Sequence, residues 1–340
     1  MEEELVKKSV FLIKECLIFP KIDLHAHLNG SIRRKTFLDL LPKEHEEEAL
    51  KLFMNMNYEN AFKIFSYLGK IVTDLNVVRR ITKEMLEDWN KQNCIYLEIR
   101  TTLKRIAGTS KSDYLTAVLE EIDEANKTLD LQTRLIISIN RDLPISEAED
   151  TLSIFSNYNS PFKKLIVGVD YCGDENREKV RPEEIIPILN KFREQGLKVT
   201  YHIAESKQYQ MLDFNIFKPD RLGHTYFFND NHINETIAHK IPVEFCPSSA
   251  KLTLQLNSYK NIPWNKYYDN NSGLLHFICI NTDDTLLFNT DITQECLEIC
   301  LAFDLSLKDL KAIYLSTVDF IFETDETFRE SLREKIRNAK

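Results

Sequence analysis

Two histidines, His25 and His27, stand two residues apart in the stretch Lys21-Ile22-Asp23-Leu24-His25-Ala26-His27-Leu28-Asn29-Gly30. The stretch alternates apolar and polar residues as a strand does, so both imidazoles leave the same side and can reach a single ion. Gly30 then lets the chain turn. A strand with two partly exposed histidines is the plainer alternative. Later segments argue against it, because they hold the further donors such an ion needs. These are His202 and Glu205 in His202-Ile203-Ala204-Glu205, His224 closing Arg221-Leu222-Gly223-His224, and the pair Asp283-Asp284. Imidazoles with a carboxylate form an N/O donor set suited to Zn²⁺ with one position left for water. Taken singly, each has a duller explanation: a satisfied core histidine, an N-cap pair ahead of Thr285, a first-turn glutamate. A glutamate at the edge of the ion rather than on it would serve as general acid or base.

The elements that must position these groups alternate along the chain. After the first strand, residues 36–92 read as three or four helices, with apolar stripes at Phe62, Phe65, Leu68 and Val72 and at Leu75, Val78 and Ile81. Strands are predicted at 94–100, 134–140, 165–170, 198–203, 221–224, 243–246 and 277–282. Helices are predicted at 112–128, near 146–157 and at 183–195 after Pro182, with a helical tail over 291–335. Eight strands joined by helices predict a (β/α)₈ TIM barrel rather than an open sheet. No linker, repeat or low-complexity run divides the chain, so one domain over 1–340 is expected. In a barrel all the strand ends named above open onto one mouth. Asp170-Tyr171-Cys172-Gly173 closes strand four without a lysine to bridge a second ion, so one metal is expected.

The net charge is −9 over 340 residues, which argues against nucleic-acid and membrane-surface partners and requires that any anionic ligand meet locally gathered cations. The seven cysteines are scattered without CxxC spacing, as in a reduced cytosolic protein. The apolar run over 10–19 is broken by charge and lacks a cleavage site; it reads as an amphipathic helix packed outside the main fold rather than as a signal or a span.

The segments HAHLNGS, GVDYCGDE, YHIAES, RLGHT and INTDDT, in this order from residue 20 to about 290, resemble the adenosine/AMP deaminase family of the amidohydrolases. The resemblance implies a (β/α)₈ barrel and one Zn²⁺ held by His25, His27, His202 and Asp283. It implies Glu205 as proton donor to purine N1 and His224 as the residue that orients and helps deprotonate the attacking water. Asp284 and Gly173 would bind the base, and His27, Glu205 and Asn140, at the end of the third strand, would also touch substrate. The implied chemistry is hydrolytic attack at purine C6 with loss of the exocyclic amine.

Two departures point away from adenosine. Family members acting on adenosine generally carry aspartate where this chain has Asn29, near the 5′ end of the sugar. A carboxylate there would cost a 5′-phosphate on the order of 4 kcal/mol per unit charge at ~4 Å and an effective dielectric of ~20. The stretch Arg100-Thr101-Thr102-Leu103-Lys104-Arg105 adds hydroxyls and cations at the mouth, with Thr101, Thr102, Leu103 and Lys104 the expected contacts; a solvated basic loop is the alternative. Both departures resemble the adenosine deaminase-like branch, which implies hydrolysis of N6-methyl-AMP to IMP and methylamine by a cytosolic monomer. A nucleoside deaminase is the second reading and an inactive binding barrel the third. Leu103 replaces the branch's proline and Gly69 falls where the branch commonly has histidine, so one substrate contact is expected to be missing.

Overall fold

The computed structural model describes residues 12, 14–268 and 277–339. Eight strands, β1 Lys21–His27, β2 Cys94–Thr102, β3 Gln132–Asn140, β4 Ile166–Cys172, β5 Lys198–Ile203, β6 Arg221–His224, β7 Val243–Phe245 and β8 Ile278–Ile280, pair in parallel and in chain order. The predicted TIM barrel is therefore the observed one. The strands are buried on both faces, which is why β1 is buried from Lys21 to Ala26 although its sequence alternates, with only His27 at the mouth partly exposed. Inward polar residues of an alternating strand face the barrel axis instead of solvent.

The ring closes between β8 and β1 near the mouth. His27 N–H donates to Asp283 O at 3.2 Å, Asp283 N–H to His25 O at 2.8 Å, and lower down Leu24 N–H donates to the Asn281 side chain at 2.8 Å. Asp23 is sealed behind this seam by Trp89 Nε1–H at 2.9 Å, Thr282 Oγ1–H at 2.7 Å and the His25 amide at 3.1 Å.

The insertion after β1 forms the helices Arg34–Leu40, Glu46–Met54, Tyr58–Ile71 and Leu75–Lys91. Val78 and Ile81 are buried as the stripe requires, and so are Leu68 and Val72, but Phe65 is 37% exposed. The side chain of Phe62 lies outside the described residues, as do residues 10, 11 and 13 of the N-terminal run. Within that run residues 14–18 are helical, with Cys16 buried and Leu17 and Ile18 exposed. The tail forms the helices Ile292–Phe303, Leu307–Thr317 and Glu326–Asn338. Among the described residues no helix is long and apolar enough to cross a membrane.

Candidate active site

The ends of β1, β5, β6 and β8 converge at the mouth. Ring nitrogens of His25, His27 and His202 lie within 4.8 Å of one another, and so do donor atoms of His25, His224, Cys246 and Asp283. His27 Nε2 and His202 Nε2 face each other at 3.2 Å, and Asp283 Oδ1 lies 3.5 Å from both His25 Nε2 and His27 Nε2. The backbone is bent to achieve this. Ala204, His224 and Asp283 adopt φ values of 55°, 70° and 63°, in the left-handed region that side chains disfavour. Each such residue costs about 1–3 kcal/mol, tolerated because the surrounding ring over-determines the strand ends.

Outer partners set the tautomers. His25 Nδ1 meets Glu244 Oε2 at 2.7 Å and His202 Nδ1 meets Asp170 Oδ1 at 2.8 Å, so each Nδ1 carries its proton toward a carboxylate and leaves Nε2 a bare acceptor. His25 Nε2 is buried and without a hydrogen-bond partner. An orphaned acceptor packed against the Nε2 atoms of His27 and His202 and a carboxylate is costly as it stands, and together these atoms are a donor set that a divalent ion satisfies. Burial, opposed by Asp283, holds His27 well below its ordinary pKa, which keeps it neutral. Burial pushes the Cys246 thiol well above its ordinary range, so it is a poor ligand beside these acceptors.

His224 has a different arrangement. The Tyr226 hydroxyl donates to the Cys246 carbonyl at 2.9 Å, which spends its one proton. Its oxygen must then accept from His224 Nδ1–H at 3.0 Å, leaving His224 Nε2 free and 3.7 Å from Glu205 Oε2. Glu205 sits in a bend, not a first helical turn. Its side chain is 32% exposed and lines the cavity at the mouth. Burial in that setting, with the nearby Asp283 and Glu175 carboxylates, pushes it up to about 8. Glu175 holds the bend by accepting from the amides of Ala204 and Ser206 on either side, each at 2.7 Å.

Asp284 makes no capping bond for the short helix Thr285–Phe288, and its Oδ1 is buried without a partner. Burial and the Asp283 and Glu205 charges hold it well above the usual carboxylate range, as a protonated donor. Gly30 makes room for it: a Cβ there would stand 1.5 Å from Asp284 Oδ1. Gly173 has φ of 105° and a Cβ would stand 2.2 Å from Asn140 Oδ1, so both residues shape one wall.

These groups line one cavity of about 990 Å³. Asn29, Thr101, Thr102, Leu103 and Lys104 lie on it, and so does Gly69, where an added Cβ would meet nothing within 4 Å. Asn29 Nδ2 donates to Thr101 Oγ1 at 3.3 Å and Tyr114 OH at 3.4 Å, while its Oδ1 is unpartnered. Among the described residues no carboxylate pairs with Lys104, and burial lowers its pKa. Two expected cations behave otherwise. Arg100 is wholly buried in the barrel, bonded to Glu244 at 2.8 Å and beside Asp170 at 3.5 Å, so it is not a substrate cation. Arg105 turns outward, 3.2 Å from Asp150 on the surface.

The sequence reading passed over Glu244, Tyr226, Tyr114 and Glu175, and took Arg100 for a cation at the mouth. A charge inside a short apolar strand, as in Val243-Glu244-Phe245, was the signal available for the first.

The adenosine deaminase family model matches residues 20–339. The chain belongs to the adenosine deaminase family. Its coverage is nearly complete in both directions: an adenosine deaminase of Clostridium acetobutylicum is 28% identical over 95% of this chain and 99% of its own. The N6-mAMP deaminase of Arabidopsis thaliana is 30% identical over 92% and 95%. Among solved structures, arabidopsis N6-mAMP deaminase superposes with TM-score 0.82 at 28% identity over 95% and 98% of the two chains. As a member of the adenosine deaminase family the protein is a hydrolase of C–N bonds that catalyses deamination, with a His/Cys/Asp cluster able to take a metal ion.

Proposed function

We propose that this member of the adenosine deaminase family is zinc-dependent and hydrolyses N6-methyl-AMP to IMP and methylamine. The observation that carries the substrate choice is an uncharged Asn29, bonded to the hydroxyls of Thr101 and Tyr114, on the cavity that the unpaired Lys104 also lines. A 5′-phosphate beside Asn29 meets an amide where a carboxylate would repel it, and Lys104 supplies a cation on the same cavity. The arabidopsis ADAL solved with IMP, at 28% identity and TM-score 0.83, supports a nucleotide-sized ligand for this site.

His25, His27, His202 and Asp283 would hold the zinc, whose Lewis acidity makes water nucleophilic near neutral pH. The chain's own groups do the rest. His224 Nε2 accepts the proton that the water loses as its oxygen adds to purine C6. Glu205, held protonated, gives its proton to N1, which takes the negative charge that attack pushes into the ring. Protonated Asp284 can donate to a ring-nitrogen acceptor. His224 then returns its proton to the exocyclic nitrogen, methylamine leaves as the C6 hydroxyl becomes a carbonyl, and the hydroxyl proton restores Glu205. Adenosine is the second reading, favoured by Asn29 Oδ1, an unpartnered acceptor able to take a free 5′-OH. Parallel assays of N6-methyl-AMP, AMP, adenosine and N6-methyladenosine on zinc-loaded protein decide between them. Faster turnover without the phosphate overturns the nucleotide reading, and no amine release from any of the four overturns catalysis.

A further inference from the structure

The barrel closes at its far end, opposite the mouth, on the segment following the 3₁₀ turn Val318–Phe320. Phe322 is 4% exposed, and its ring lies 3.5 Å from the Arg221 guanidinium. Gly168 in β4 supplies the space: a Cβ there would stand 2.5 Å from the Phe322 ring. Phe322 N–H donates to Glu98 Oε1 at 2.6 Å, and Arg221 donates to Phe320 O at 2.8 Å.

From this plug a chain of buried charges runs up the barrel axis. Arg221 bonds Glu98 Oε2 at 2.5 Å through Nη2 and Glu244 Oε1 at 2.6 Å through Nε. The other oxygen of Glu244 takes the His25 Nδ1 proton at 2.7 Å. The side chains of Glu98, Arg221, Glu244 and His25 are all 0% exposed. Water cannot replace a lost partner there, so a shift of one member displaces the next.

We propose that Phe322 is a positioning residue for the metal centre, acting through Glu98, Arg221 and Glu244 on the orientation and basicity of His25. The inference rests on the zinc reading above. A direct outer partner of a ligating histidine is worth about 10–100-fold in metal affinity or activity, and a group acting through it less.

The test uses full-length, zinc-loaded protein and measures the rate of zinc transfer to a chromogenic chelator, together with kcat and KM. Phe322→Ala and Glu98→Gln are compared with Ile336→Ala, a buried truncation on the helix Glu326–Asn338 outside this chain of charges. Phe322→Leu, which keeps most of the plug's volume, stands in for Phe322→Ala if that variant fails to fold. The expected result is zinc release about three- to tenfold faster than in Ile336→Ala, with kcat lowered comparably and KM changed less than about twofold. Equal zinc release and kcat in the Phe322 variant and Ile336→Ala overturn this inference alone. A wild type that takes up no zinc overturns the metal reading and this inference with it.

Discussion

Asp283 and His25 are joined through their backbones, Asp283 N–H donating to His25 O at 2.8 Å, while their side chains meet at 3.5 Å. The bond that closes the barrel is thus the bond that brings two candidate ligands together. Fold closure belongs to the main chain and metal binding to the side chain, so the two can be separated by substitution.

Asp283→Ala is expected to keep the fold and lose the metal, because the seam bonds survive the substitution. Zinc content after dialysis should fall well below one per chain, since losing a direct ligand costs more than the ~10–100-fold in affinity that losing a hydrogen-bond partner of a ligand does. His202→Ala should behave alike. Metal analysis with circular dichroism checks both, and stoichiometric zinc in either variant contradicts the ligand set.

Glu205→Gln should retain zinc and lose the chemical step, with kcat down about 10²–10⁴-fold, since an amide cannot pass a proton to N1. Its neighbours Ala204 and Ser206 stay clamped by Glu175, so the bend should hold. A variant with most of its turnover intact removes Glu205 from the role of acid.

Asn29→Asp should selectively damage nucleotide turnover. A phosphate carries about −1.5 to −2 charges near neutral pH, and a carboxylate beside it would cost a few kcal/mol. That is roughly a hundredfold or more in kcat/KM for N6-methyl-AMP. N6-methyladenosine should lose less, because aspartate can accept from a free 5′-OH as Asn29 Oδ1 can. Lys104→Ala should shift preference the same way with zinc unchanged. Equal losses on both substrates would reduce Asn29 to a shaper of the strand end.

Glu295 makes a prediction about stability away from the chemistry. It is fully buried, accepting from Ser248 N–H at 2.9 Å and Thr290 Oγ1–H at 2.5 Å, and burial pushes its pKa up to about 8. An unfolded glutamate titrates near ~4.3, so between that pH and about 8 the unfolded chain binds fewer protons than the folded one. Stability from this group is therefore full below ~4.3 and falls as pH rises, by about 1.4 kcal/mol per unit until the folded pKa is passed. Glu295→Gln can place its oxygen on Ser248 and its NH₂ on Thr290, mimicking the protonated acid. In urea unfolding the variant should gain on wild type between pH 6 and 8. Parallel stability curves would mean that Glu295 is charged in the folded protein.

Much of this protein is legible without coordinates. The eight strands fall where alternation and β-rich runs place them, because a buried parallel strand must be apolar outward toward the helices whatever its partner. The i, i+2 histidines and the later His202, Glu205, His224 and Asp283 could be picked out because strand ends of a barrel share one mouth. What the tertiary structure decided is which polar groups answer to which. Arg100 reads as a cation at the mouth in sequence, yet β2 buries it beside Glu244, 144 residues away in the chain. The proton on His224 is settled by Tyr226 and the carbonyl of Cys246, and the bend at Glu205 by Glu175. Apart from the local His224–Tyr226 bond, these hydrogen bonds span 20 to 144 residues and leave no periodicity behind them, and only the closed ring brings their ends within 3 Å.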